Sequence, residues 1–449
     1  MKNPLIQIYT FSAMRMLVLL LPIFAFIPLP VAADEIDDLK KQIEILAGKI
    51  AQLEQAQQQK DEPADVELID IKNVVMKGDR RNSIKIPGTN TSFSIGGRLE
   101  SSFLYDISPR PPSRGGDIAS VRSAILEGTP EFENRGDTHI TARNSRFNVV
   151  TTTPTQFGQL RTFIEGDFNG PPNSKSSRAT TSRTAFGIRH AYGQLGNVLF
   201  GHYWSTFMDR SVFPTKIDGT GPVGRTFIRQ GQLRYTHDLG NGGELAFALE
   251  NPRADFEGAD DENLHDGYPD LISYYRYESD RWHMQFSGLL RRVGINEGIA
   301  NGAKDNTMAW GLNHSTSFLL PGSKDRITWY ILFGDGIGRY MDGGTNQGTS
   351  VTAEGKLDTQ FSYGGFITYK HFWTDTIHSS IDFGTSFFNL NPDEADTANT
   401  ELYNGHLNLM WTPNPKLQFG IEYAWGKREV HDGRQGNINR ALFTSRIFF

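Results

Sequence analysis

Cysteine is absent from the chain, which suits export through an oxidising compartment. Long apolar runs are absent as well: beyond residue 33, no stretch approaches the about twenty apolar residues that a membrane helix needs. Nor is there an excess of positive charge. The 45 Lys and Arg stand against 51 Asp and Glu, a formal net charge of −6, and this mild acidity argues against nucleic acid as a partner. A dense aliphatic core is missing too. A soluble chain of 449 residues would split into about two or three domains built on such cores. Here only 38% of residues are apolar and the mean hydropathy is negative. Present instead are 46 Gly, 30 Phe and an aromatic share of 12%. That is the composition of a β-barrel, whose lipid-facing and water-facing side chains alternate and average out.

Residues 1–33 read as a signal peptide. Lys2 and Arg15 supply positive charge, Met16 to Pro30 form the apolar run, and Val31-Ala32-Ala33 offers small residues for cleavage. Pro22, Pro28 and Pro30 argue against a retained anchor helix. Removing this segment takes away two positive charges and no negative ones, moving the net charge from −6 to −8. In residues 34–59, Ile36, Leu39, Ile43, Leu46, Ile50 and Leu53 repeat at heptad spacing, an a/d seam with Glu35–Lys40 and Lys49–Glu54 as flanking pairs. The seam predicts a short coiled coil, marginal alone and dependent on a larger oligomer. Residues 60–90 lack periodicity and contain Pro63, Gly78 and Pro87, a linker with at most short ordered pieces.

From residue 91 to 449, period-2 alternation dominates. Phe93, Ile95, Leu99, Phe103 and Tyr105 oppose Ser94, Arg98 and Glu100. Trp282, Met284, Phe286 and Leu290 oppose His283, Gln285, Ser287 and Arg291, and Leu417, Phe419, Ile421, Tyr423 and Trp425 oppose Gln418, Gly420 and Glu422. Marking every such segment gives about sixteen strands. Short connections (around Thr153-Pro154-Thr155, Gly196-Asn197, Asn241-Gly242-Gly243, Ser279-Asp280, Pro321-Gly322 and Pro413-Asn414-Pro415) alternate with long ones at 107–140, 169–185, 205–227, 251–269 and 334–357. This one-sided asymmetry is that of an all-β, transmembrane antiparallel β-barrel in the bacterial outer membrane, with tight periplasmic turns and long outer loops. An even strand count puts the coiled coil in the periplasm. The last segment, with Ala441, Phe443, Ser445, Ile447 and Phe449 on one face, looks like the terminal strand that barrel-assembly machinery recognises.

Enzymatic chemistry finds no support. His314-Ser315 and the scattered aspartates give no nucleophile–base–orienter spacing, and His314 falls on the apolar side of its strand. The eleven histidines show no metal-ligand spacing. The expected cofactor set is empty. Strand parity does carry information about the interior. If Leu160, Ile164 and Phe168 face lipid, then Arg161, Glu165 and Asp167 face the lumen, and by the same parity Arg98, Arg146, Arg189 and Arg234 point inward. Arginine at membrane depth requires water or partners, and its fork suits carboxylates.

Four stretches carry a family resemblance: Ala142-Arg143-Asn144-Ser145-Arg146-Phe147, Ile164-Glu165-Gly166-Asp167-Phe168, Arg189-His190-Ala191-Tyr192-Gly193, and Gly201-His202-Tyr203-Trp204-Ser205-Thr206-Phe207-Met208-Asp209, followed by Gly221-Pro222-Val223-Gly224. Together they resemble the DcaP-type trimeric outer-membrane porins, which also carry a periplasmic coiled coil. The resemblance implies homotrimers in outer-membrane lipid and passive uptake of small anionic solutes, dicarboxylates and related organic acids. It also implies that the third long loop narrows the pore, which places Asp209 and Arg225, with Arg229 just beyond, at the constriction. Two other readings stand beside this one: a general or phosphate-type porin, and a barrel serving as an envelope tether.

Overall fold

Alternating side chains favour strands, and a row of such strands in hydrocarbon must close on itself to leave no unpaired edge. The computed structural model describes residues 41–42, 44–52, 76–112, 118–170, 185–254, 267–295, 305–345, 347–352, 356–392 and 394–449. The chain divides into two compact units, residues 1–71 and 72–449. In the first, residues 41–42 and 44–52 are helical, with the seam positions Leu46 and Ile50 exposed. The expected signal peptide and the seam positions Ile36, Leu39, Ile43 and Leu53 lie outside the described residues.

The second unit is an antiparallel barrel of sixteen strands among the described residues, the number expected from the alternation. In chain order they are β1 (Ser92–Asp106), β2 (Asp137–Thr141, resuming as Arg146–Thr155), β3 (Gly158–Asp167), β4 (Gly187–Leu195), β5 (Val198–Trp204), β6 (Arg229–Gly240), β7 (Gly243–Glu250) and β8 (Asp270–Glu278). They continue as β9 (Trp282–Ile295), β10 (Asp305–Leu319), β11 (Arg326–Asp335), β12 (Phe361–Phe372), β13 (Ile377–Phe388), β14 (Asn399–Asn414), β15 (Leu417–Val430) and β16 (Gln435–Phe448). The ring closes where β16 pairs with β1, from Arg98 opposite Phe448 to Asp106 opposite Arg440. Ile95, Leu99, Phe286, Leu290, Ile331 and Ile421 are exposed on the outer face, while Glu100, His283, Gln285, Ser287 and Glu422 are buried inside. Trp373 and Trp411 stand outward near one rim and Trp310 and Trp425 near the other, the aromatic girdles of a membrane barrel.

The tight turns lie where turn chemistry places them. Asn241 and Gly242 both have positive φ, 51° and 81°, as a two-residue hairpin turn demands. A Cβ on Gly242 would also sit 1.9 Å from the Glu278 carbonyl oxygen. One turn differs from its expected position. The stretch Thr153-Pro154-Thr155 belongs to β2, with Pro154 opposite Gln159. Pairing of β2 with β1 runs only to Thr152, so the missing proline donor costs no ladder bond there. The long connections on the opposite rim include loop 1 (107–136), loop 3 (205–228) and loop 6 (336–360).

Apolar burial is concentrated inside the barrel, where these loops meet the wall. Phe207, Ile217 and Val223 of loop 3, Tyr340 and Met341 of loop 6, and Ala119 and Val121 of loop 1 share a cluster with Leu332, Leu402, Met410 and Leu442 of the strands. The interior therefore has a dry side against the later strands and a polar side against β1–β6. Replacing the outward Ile331 at mid-strand with Arg should destabilise the barrel by about 2–4 kcal/mol in lipid vesicles, the cost of a guanidinium at bilayer mid-depth. Denaturant unfolding followed by tryptophan fluorescence measures it, and an unchanged midpoint would contradict the outward assignment of that face.

Candidate functional site

Loop 3 crosses the interior because the wall offers partners for its backbone. At its start, Thr206 N donates to Glu250 (2.6 Å), Asn313 Nδ2 donates to the Phe207 carbonyl, and the Asp209 carboxylate accepts from Ser315 Oγ (2.5 Å) and pairs with His283 Nε2 (2.7 Å). At its far reach, the Glu422 carboxylate of β15 accepts from Ile217 N (2.7 Å) and Asp218 N (2.8 Å). Lys216 Nζ lies 3.4 Å from His406 Nε2, and His406 Nδ1 lies 2.7 Å from Asp382. The Gly221-Pro222-Val223-Gly224 stretch presses on the wall: a Cβ on Gly224, whose φ is +78°, would lie 2.3 Å from Gly365 N. Only glycine combines that approach with that conformation. Loop 6 then bonds to loop 3 through Phe227 N to the Tyr340 carbonyl (3.3 Å), Asp342 N to the Arg225 carbonyl (2.8 Å), and the Arg225–Asp342 ion pair (3.0 Å).

On the opposite wall, local irregularities aim arginines inward. Ala142 to Ser145 interrupt β2, and Ser145 Oγ exchanges hydrogen bonds with the backbone of Glu100. β4 carries an extra residue opposite Glu165/Gly166, where Glu165 pairs with His190 and Gly166 with Ile188. Such a bulge re-aims side chains, and it turns both Arg189 and His190 inward. Arg189 binds Glu165 (3.1 Å) and Asp167 (2.5 Å), Arg146 lies 3.6 Å from Glu165, and Arg98 lies 2.7 Å from Glu100. Other arginines of this wall lie over rings. Arg161 lies over Phe163 (5.3 Å) and Tyr192 (5.5 Å), Arg229 over Trp204 (4.7 Å), and Arg234 over Tyr203 (5.6 Å). These contacts hold cations in a partly dry setting.

A cavity of about 410 Å³ lies between this wall and the inward loops. Six arginines line it (Arg98, Arg122, Arg146, Arg189, Arg229 and Arg339) against two carboxylates, Glu100 and Asp342. Of the residues expected at the pore, Arg98, Arg146, Arg189 and Arg229 thus come together. Glu165 and Asp167 stand behind Arg189, while Arg161 and Arg234 sit nearer the tight turns. Asp209 and Arg225 are buried, 0% and 3% exposed. Asp209 is spent on His283 and Ser315, and Arg225 on Asp342, Phe213 and Phe227. Arg122 and Arg339 were not among the expected residues, because both lie in loops, where period-2 parity carries no information. The apolar run around Arg122 (Ile118, Ala119, Val121, Ala124 and Leu126, all buried) is the signal that could have shown loop 1 turning inward.

A closed sixteen-strand barrel with an apolar exterior and a charged, loop-narrowed interior defines a channel protein of the bacterial outer membrane. More particularly, the model of the DcaP outer membrane protein family matches residues 121–449, and the chain belongs to that family. Among solved structures it is similar to the outer membrane channel DcaP of Acinetobacter baumannii. Identity is 20% and the TM-score 0.68, covering 80% of this chain and 97% of that one. The fold is also that of an anion-selective porin from Comamonas acidovorans (9% identity, 80% and 100% covered, TM-score 0.52) and of Salmonella typhi OmpF (9%, 80% and 98%, 0.53). No curated protein matches the chain. If Glu422 anchors loop 3, Glu422→Ala strands two backbone N–H groups at about 1–3 kcal/mol each. Single-channel recording should then show a noisier, unsteady conductance in place of a steady one. An unchanged trace would mean the other anchors suffice.

Proposed function

We propose that the channel passes small organic anions by passive diffusion, with dicarboxylates and related acids as the preferred solutes. The observation that carries this reading is the excess of six arginines over two carboxylates around one cavity. In a narrow passage with low-dielectric walls, such charge acts at short range with little salt screening. The guanidinium fork matches a carboxylate in shape as well as charge. The apolar side of the same cavity, with Ile118, Ile217, Phe227 and Met341, suits the hydrocarbon body of an organic acid better than a fully hydrated inorganic anion.

In the same reading the protein is exported by cleavage after residue 33, assembles as a homotrimer in outer-membrane lipid, and carries its N-terminal coiled coil in the periplasm. These features rest on the sequence pattern and on the family resemblance. The channel property is tested by Arg146→Gln combined with Arg189→Gln. Both arginines line the cavity, and their loss leaves Glu165 and Asp167 without their nearest cations. Reversal potentials in a salt gradient should move severalfold from anion toward cation preference. An unchanged ratio would mean that these arginines only brace the wall.

A further inference from the structure

Loop 1 enters the barrel as an ordered segment whose backbone is tied down on several sides. Ala119 N donates to Asp218 of loop 3 (2.9 Å), and Thr220 Oγ1 donates to the Ala119 carbonyl (3.0 Å). Arg428 Nη1 of β15 and Asn399 Nδ2 of β14 donate to the Arg122 carbonyl, and Glu127 N donates to the Gln435 carbonyl of β16 (2.8 Å). Val121, the first residue of the short helical turn Val121–Ser123, and Ala124 just after it are 3% and 2% exposed. The Arg122 side chain is the opposite: exposed, and lining the arginine cavity.

Its situation differs from that of the other five cavity arginines. Arg98 is paired with Glu100, Arg146 lies near Glu165, and Arg189 binds Glu165 and Asp167. Arg339 donates to Gln230 and to the Asn251 carbonyl, and Arg229 lies over Trp204. Among the described residues, the Arg122 guanidinium has no hydrogen-bond, ion-pair or ring partner, although its own backbone is fixed. It reaches the cavity from the β14–β15 side, whereas Arg98, Arg146 and Arg189 reach it from β1, β2 and β4. A solute with one carboxylate can meet a cation on one side of the cavity only, whereas a solute with two anionic ends can meet cations on both.

We propose that Arg122 is a specificity-determining residue of the channel, the loop-borne cation that receives the second carboxylate of a dicarboxylate held at the wall by Arg146 and Arg189. This rests on the anion-channel reading above and adds to it the residue that separates dicarboxylates from monocarboxylates. The fixed backbone confines the ordering cost of binding to one side chain. The unpaired fork offers two parallel hydrogen bonds to a carboxylate.

The test uses the full chain in planar bilayers, with block of potassium chloride current by succinate and by butyrate, which match in length and differ by one carboxylate. The unmodified channel should be blocked more tightly by succinate. In Arg122→Gln this preference should fall about tenfold, the loss of one charge-assisted contact, with butyrate block falling much less than succinate block. Arg122→Lys, which keeps the charge but not the fork, should retain part of the preference. An Arg122→Gln channel that conducts and keeps an undiminished succinate preference would overturn the proposal. Cation preference and absence of block by either acid in the unmodified channel is a separate outcome, and it would overturn the anion-channel reading itself.

Discussion

One buried carboxylate holds the interior together. Glu422 points inward because its neighbours Ile421 and Tyr423 point to lipid, and there it accepts the backbone N–H groups of Ile217 and Asp218. A loop crossing a barrel must satisfy its own amides, since each buried donor left unmade costs about 1–3 kcal/mol. A carboxylate taking two of them solves that problem at the loop's farthest point. The rest of the constriction is tied to that point. Asp218 holds Ala119 and hence loop 1, Arg225 and Phe227 hold loop 6, and the two other loops bring Arg122 and Arg339 to the cavity.

The dry packing of the loops has an electrostatic consequence. Filling the side of β8–β16 with Phe207, Ile217, Val223, Tyr340 and Met341 lowers the local dielectric beside the charged strip along β1–β6. Charge on that strip is felt more strongly than it would be in an open pore. The same low dielectric makes crowded guanidinium groups repel, and the wall answers in two ways. Glu100, Glu165 and Asp167 compensate Arg98, Arg146 and Arg189, while the rings of Phe163, Tyr192, Tyr203 and Trp204 support Arg161, Arg229 and Arg234.

Most of the barrel was legible in the sequence because a strand's period of two is a strong constraint when one face meets lipid. The alternation at 282–290 and 417–425 gives the observed in–out pattern, and the Asn241-Gly242 turn stands where its residues require. Pro154 misled because a proline marks a turn unless the strand's other edge is unpaired, and pairing is a tertiary fact. The wall arginines were readable by parity, even Arg189, although the bulge at Glu165/Gly166 then turns His190 the same way. Loop residues were not readable. Asp209 and Arg225 have the charges of pore residues but are consumed in holding the loop, and the one sign of Arg122's position is the apolar run around it. Which loop charge is spent on structure and which is left for solute depends on contacts between segments a hundred or more residues apart, as in the link from Asp209 to Ser315, with a separation of 106.

The mixture of paired and unpaired arginines is itself a requirement of passive transport. Conduction needs a site attractive enough to draw a solute in and weak enough to let it leave. A carboxylate among six uncompensated guanidinium groups would be trapped. Pairing Arg98 and Arg189 with neighbouring carboxylates keeps their forks at the wall while each fork's attraction for an incoming anion is shared with a resident one. Solute exchange at such a site replaces one ion pair by another, so the barrier to leaving stays low. On the anion-channel reading proposed above, the wall would set the sign of the field, and the loop charge left free would set which anion gains most from it.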